Sequence, residues 1–170
     1  MRSEADYVEF VATRRTHLRR VAYALTGDWH LAEDLVQTAL AKVYVAWPRI
    51  TGAEEAYARK VILNAVIDER RRPWRRETPV VEHRDRPAPE PTGPEVRDEV
   101  VAALQQLPAM QRKAVLLRHW LDLSVEETAR ELGVSTGTVK SHTSRGLDRL
   151  QSLLTAAAAA SDLDLAGRNR

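Results

Sequence analysis

The feature that most constrains how this chain can fold is an interruption. Between Glu77 and Glu95 the sequence reads ETPVVEHRDRPAPEPTGPE, with five prolines and almost no apolar periodicity. Each proline fixes φ and removes a backbone donor, so neither a helix nor a central strand runs through such a stretch. It reads as a linker. Extended at ~3.1 Å per residue it spans on the order of 50 Å, and it is equally able to fold back. On both sides apolar residues recur at helical spacing, and strand signals are nearly absent. The expected fold is all-α, with two small helical domains joined by the proline-rich linker and a helix–turn–helix in the second. Residues 1–76 form the first domain, 77–94 the linker, 95–155 the second domain and 156–170 an alanine-rich tail.

In the first domain, Val8, Val11, Leu18, Val21, Ala22 and Leu25 space as one face of a helix, which Thr26–Asp28 punctuates. Asp28 is suited to cap the next helix. That second helix sets Leu31, Leu35, Ala39, Leu40, Val43 and Trp47 inward and stops at Pro48. A third runs from about Glu54 to Arg72 and is expected to bury Tyr57, Val61, Ala65 and Ile62. Beyond the linker four segments are helical, near Glu95–Gln106, Ala109–Leu121, Val125–Leu132 and Ser135–Leu154. Pro108 opens one of them. SVEE at Ser124–Glu127 has the spacing of a capping box, and Gly133 closes the helix that follows. Ala156–Ala160 can prolong the last helix, alanine being the best helix former.

The net charge of +2 conceals a segregation. Arg59–Arg76 holds seven basic residues against two acids, a net +5, whereas Glu77–Glu99 holds three against seven, a net −4. A basic face beside an acidic connector points to a polyanionic partner for the first.

ARELGVSTGTVKSH, from Ala129 to His142, has the pattern of two short helices meeting at a glycine turn. Ala129, Leu132 and Val134 form an apolar elbow, and Val139, Leu147 and Leu150 continue it inward. Ser135, Thr136, Thr138, Lys140, Ser141 and His142 are then left to face outward, followed by Ser144 and Arg145. Hydroxyls and a cation at the start of a second helix suit phosphates and base edges in a major groove. Gly137 sits in that first turn at a helix-propensity cost of up to ~1 kcal/mol. It marks either a close backbone approach to phosphate or a tolerated end residue.

The third helix ends in a dense arginine cluster followed by Trp74. Arginine beside an aromatic combines backbone neutralisation with base stacking, which unpaired DNA favours. Trp74 is alternatively a ring folded onto the adjacent helices. Asn64 and Asp68 share a face, Asn64 suited to base edges and Asp68 to orienting Arg71 or Arg72, or to an ordinary helix salt bridge.

Other classes fit less well. Cysteine is absent, which excludes disulfides and cysteine-based sites. The five histidines show no metal-ligand spacing, and no phosphate-binding glycine loop or nucleophile elbow occurs. HRD at His83–Asp85 lies in the linker without the other kinase motifs. No catalytic residue, metal or cofactor is expected. MRSEADYVEF is no signal peptide, and no window approaches the ~18 apolar residues of a membrane span, so a soluble cytoplasmic protein without membrane insertion is expected. A conventional helix–turn–helix regulator remains a rival. Its sensing domain is not matched by the basic, all-helical first half, whose arginine cluster also argues against a partner protein that never touches DNA.

Taken together, these segments resemble the extracytoplasmic-function sigma factors of RNA polymerase, nearest to the SigE-like actinobacterial subgroup, over about Ala5–Leu154. GDWHLAEDLVQTAL resembles the helix that docks on the β′ clamp helices. The resemblance implies polymerase contacts for Asp34, Leu35, Gln37 and Leu40, the last where the family usually has phenylalanine. YARKVILNAVIDERRR resembles the helix that recognises and helps melt the −10 element. It implies roles for Tyr57, Asn64, Asp68, Arg71 and Arg72, with Trp74 beside them. The segment from Leu107 to His142 resembles the domain that reads the −35 element and touches the β flap. It implies −35 contacts for Ser135, Thr136, Thr138, Lys140, Ser141, His142 and Arg145. Thr128 stands at a usual isoleucine, His142 at a frequent arginine and Gly146 at a frequent alanine. The implied partners are core polymerase, promoter DNA both duplex and melted, and an anti-sigma factor of the kind the family commonly has.

Overall fold

A computed structural model describes the chain at residues 3–71 and 98–168, with side-chain surroundings at 3–66 and 98–160. The described residues are helical with no strand. Helices α1 (Glu4–Thr26), α2 (Trp29–Ala46) and α3 (Glu54–Arg71) form the first module. Helices α4 (Asp98–Gln105), α5 (Ala109–Val115), α6 (Val125–Leu132) and α7 (Thr136–Arg168) form the second, with a π-helical turn at Leu116–Trp120 extending α5. The linker and the side chains of Asp68, Arg71, Arg72 and Trp74 lie outside the described residues.

Helix ends follow local chemistry. Ser3 and Asp6 close a capping box on α1, and Gly27 ends that helix at φ 73°. Asp28 accepts from the His30 and Leu31 backbone N–H groups to start α2. Ser124 and Glu127 form the capping box expected for α6, and Gly133 ends it at φ 66°, the left-handed region glycine enters without strain. Helix α7 runs unbroken through the alanine run as far as Arg168.

In the first module α2 packs on both α1 and α3. In the second, α7 packs on α4, α5 and α6. One buried apolar cluster passes through both modules, including Leu18, Leu25, Val36, Ile62, Leu104 and Leu117. Three inward assignments shift. Val8 is 59 % exposed, because Tyr7 and Phe10 take the inward side of the first turns and pack on Trp47 at 5.3 and 5.6 Å. Tyr57 is 36 % exposed, because Ala58, Ile62 and Val66 set the inward line of α3, with Val61 and Ala65 half-buried on its flanks. Leu147 is exposed, because Gly146 takes the buried position against α5.

Candidate nucleic-acid and polymerase interfaces

The turn between α6 and α7 is built from the backbone outward. The Gly133 and Val134 N–H groups both donate to the Ala129 carbonyl, at 3.1 Å for Val134. Val139 is fully buried and pins α7 to the elbow. Ser135 caps α7: the Thr138 N–H donates to its Oγ at 3.1 Å, and the two hydroxyls pair at 2.8 Å. Both residues are therefore engaged with each other at the helix start. Thr136 and Lys140 stand exposed one turn apart, and Arg145 is exposed further along. Ser141 and His142 are half-buried, with His142 Nδ1 shielded from solvent and without a hydrogen-bond partner among the described residues. The N-terminal end of α7 thus offers a short hydroxyl-and-cation face to a groove.

On α3, Tyr57 and Asn64 lie on one exposed stripe together with Lys60, which falls three residues after the first and four before the second. Sequence counts Lys60 in the basic segment but not among the −10 candidates, although spacing alone places it on this stripe. The same period carries the stripe toward positions 68 and 71, whose side chains are outside the described set.

On α2, Asp34 and Gln37 are exposed, whereas Leu35 and Leu40 are each 7 % exposed and belong to the core. Any contact by the two leucines is indirect, through the seating of the helix. The outward face continues instead into Thr38, Lys42, Tyr44 and Val45, with Tyr44 51 % and Val45 69 % exposed. Both stand off the Leu35–Ala39–Val43 line, the signal that could have found them. Behind this face an open groove of about 680 Å³ is walled by Thr38, Ala41, Lys42, Val45, Arg49 and Tyr57. Its lining is mainly apolar and includes two cations, Lys42 and Arg49, and the Tyr57 ring.

Comparison with known proteins matches residues 10–76 to Sigma-70 region 2 and residues 97–150 to Sigma-70, region 4. The RNA polymerase sigma-E factor of Streptomyces coelicolor is 38 % identical over 154 residues, covering 89 % of this chain and 87 % of that protein. The chain belongs to the extracytoplasmic-function sigma factors. This SigE-like sigma factor is also 34 % identical to the ECF RNA polymerase sigma factor SigE of Mycolicibacterium smegmatis, over 86 % of this chain and 60 % of the other. Among solved structures it is similar to the sigma factor RpoE of Bartonella quintana, determined in complex with the anti-sigma factor NepR. The TM-score is 0.72 at 28 % identity, over 88 % of this chain and 97 % of that one. The sigma factor acts in promoter recognition and transcription initiation by RNA polymerase. No described helix is long and apolar enough to cross a membrane.

Proposed function

We propose a division of labour between the two modules. The exposed face of α2, from Asp34 and Gln37 to Tyr44 and Val45, docks on the β′ clamp helices of core polymerase. The Tyr57–Lys60–Asn64 stripe, continued by Asp68, Arg71, Arg72 and Trp74, holds the −10 element as it opens. The groove that Tyr57 lines receives an unpaired base, with Lys42 and Arg49 in its lining suited to the adjoining phosphates. In the second module, Thr136, Lys140, Ser141, His142 and Arg145 meet the −35 duplex, with Ser135 and Thr138 shaping the helix start, and the same module touches the β flap. The protein works in the cytoplasm without catalysis of its own. An anti-sigma factor is a further partner, as in the Bartonella complex.

The observation that supports this reading best is that Tyr57, Lys60 and Asn64 on α3 and Thr136, Lys140 and Arg145 on α7 stand exposed, one polar and cationic face per module. Two modest DNA contacts on one chain reinforce each other through effective concentration. The test is run-off transcription with core polymerase, with and without this protein, followed by strand-opening footprinting. Lys140→Ala is expected to weaken the upstream footprint and Arg71→Ala the opening or downstream contact. Identical footprints for the two variants would refute the division, and absence of a promoter-dependent transcript from matched promoters would refute the reading.

A further inference from the structure

Three polar atoms of the second module are shielded from solvent and have no hydrogen-bond partner among the described residues. They are Gln111 Oε1 on α5, and His142 Nδ1 and Thr143 Oγ1 on α7. Gly146 marks the seam they share. It is buried, and a β-carbon on it would stand 3.4 Å from Gln111 Cβ. His142 and Thr143 precede Gly146 by four and three residues, so they lie one turn away on the face of α7 turned toward α5. Helical neighbours at those spacings have β-carbons about 5–6 Å apart. Both side chains are therefore within reach of a glutamine.

The three atoms are chemically complementary. An amide oxygen carries two lone pairs and donates nothing. A threonine hydroxyl donates one hydrogen, and imidazole Nδ1 donates when it carries the proton. One double acceptor thus stands beside two donors, and two hydrogen bonds satisfy all three. A shielded polar atom left unpaired is costly, which favours the histidine tautomer that can pair.

Which ring nitrogen carries the proton decides what His142 can read. The ring is half-buried with Nδ1 as its shielded nitrogen, so Nε2 is the one free to meet a groove. With the proton on Nδ1, a neutral ring offers Nε2 as an acceptor. In the major groove adenine N6 and cytosine N4 donate, whereas guanine and thymine present acceptors. With the proton on Nε2 the preference inverts. The neighbours do not settle this choice, because Lys140 only donates and Ser141 both donates and accepts.

We propose that Gln111 is a positioning residue for base readout. Its Oε1 holds the His142 proton on Nδ1, and α7 thereby selects an adenine or cytosine where Nε2 meets the groove. This rests on the −35 reading above. Long-range 1H–15N spectra of the free full-length protein report the tautomer at about pH 8, where histidine side chains are ordinarily neutral. The signal lost in His142→Arg belongs to His142, and it should show the Nδ1–H form. Gln111→Met, close in size but without the acceptor, should shift it toward Nε2–H. Thr143→Val removes only the second donor and should leave Nδ1–H in place. Holoenzyme binding to promoter fragments substituted at each −35 base pair reads the preference. Wild type should favour adenine or cytosine over guanine or thymine about fivefold at one position, the scale of one hydrogen bond. Gln111→Met should flatten or reverse the order there and nowhere else, and His142→Arg should move it to guanine. Nε2–H in the free wild type overturns the proposal, as does a tautomer or base order that Gln111→Met leaves unchanged. An Nδ1–H ring whose replacement by arginine alters no base preference overturns readout by His142 and that part of the −35 reading with it. The spectrum, taken without DNA, tells the two failures apart.

Discussion

A β-carbon placed on Gly146 would stand 2.7 Å from Cγ2 of Val115 and 3.2 Å from the Gln111 carbonyl oxygen. Helices α5 and α7 therefore meet at a glycine. Helix propensity alone makes Gly146→Ala stabilising by up to ~1 kcal/mol. Overpacking against a stiff β-branched side chain and a backbone oxygen costs about 1–3 kcal/mol and should win. The variant is expected to lose a net of up to ~2 kcal/mol of unfolding free energy, read as a lower denaturant midpoint. Gly146→Ala/Val115→Ala should recover part of that loss relative to Val115→Ala alone. Urea titration of the four proteins measures the coupling; additive effects would contradict the close approach.

Thr128, fully buried in α6, carries a hydroxyl with no hydrogen-bond partner among the described residues. An unsatisfied buried hydroxyl costs about 1–3 kcal/mol. Thr128→Val keeps the shape and removes the penalty. It should raise stability by on the order of 1 kcal/mol, with the thermal midpoint as readout and a change in the opposite direction as the contrary result.

How much of this was legible in sequence depends on how local the cause is. The Asp28 cap, the Ser124–Glu127 box and the Gly133 stop were legible because each joins residues within four positions. The facing of Val8, Tyr57 and Leu147 was not, since a neighbour one step around the helix decides which apolar residue turns inward. Arg112 and Lys113 look like surface cations in sequence. They are buried because main-chain carbonyls 87 and 50 positions away receive them, and carbonyls carry no sequence signal. The exposure of Thr136, Lys140 and Asn64 followed from helical period alone, whereas Leu35 and Leu40 sit on the inward side of the motif they share with Asp34.

The Glu33 carboxyl joins α1 to α2. It accepts from Arg15 and lies 3.1 Å from Arg19 Nε, whose guanidinium covers the Trp29 ring at 5.0 Å. The hydrogen bond from Arg15 is the chief reason its pKa falls below the usual glutamate value; partial burial opposes it, and the Arg15 and Arg19 charges and Gln37 assist. A lowered folded pKa means the pair contributes fully above the unfolded value of about 4.3 and is lost as pH falls through the folded one. Arg15 is half exposed, so solvent screening holds the contribution below about 1 kcal/mol. Glu33→Gln should therefore narrow the stability gap between neutral pH and about pH 3. Urea midpoints at the two pH values test this, and an unchanged gap would refute it.

Gly137 separates stability from DNA contact. Among the described residues a β-carbon there would meet only Ser135 Oγ, at 3.9 Å, so none of their packing requires glycine. Its φ is not among the positive values, so the backbone does not require it either. Gly137→Ala is then expected to stabilise the second module by up to ~1 kcal/mol through helix propensity. If the α7 start approaches a phosphate as closely as the proposed −35 contact needs, the added methyl displaces the backbone from that oxygen. Affinity of the polymerase holoenzyme for a promoter fragment should drop by about tenfold or more, on the scale of one lost hydrogen bond to a charged group. Lys140→Ala should weaken the same binding while making its salt dependence shallower, because one fewer counterion is released per complex. Gly137→Ala removes no charge and should leave that slope unchanged. Titrations at several salt concentrations separate the two effects. Full affinity in Gly137→Ala would mean that glycine is merely tolerated at this helix start.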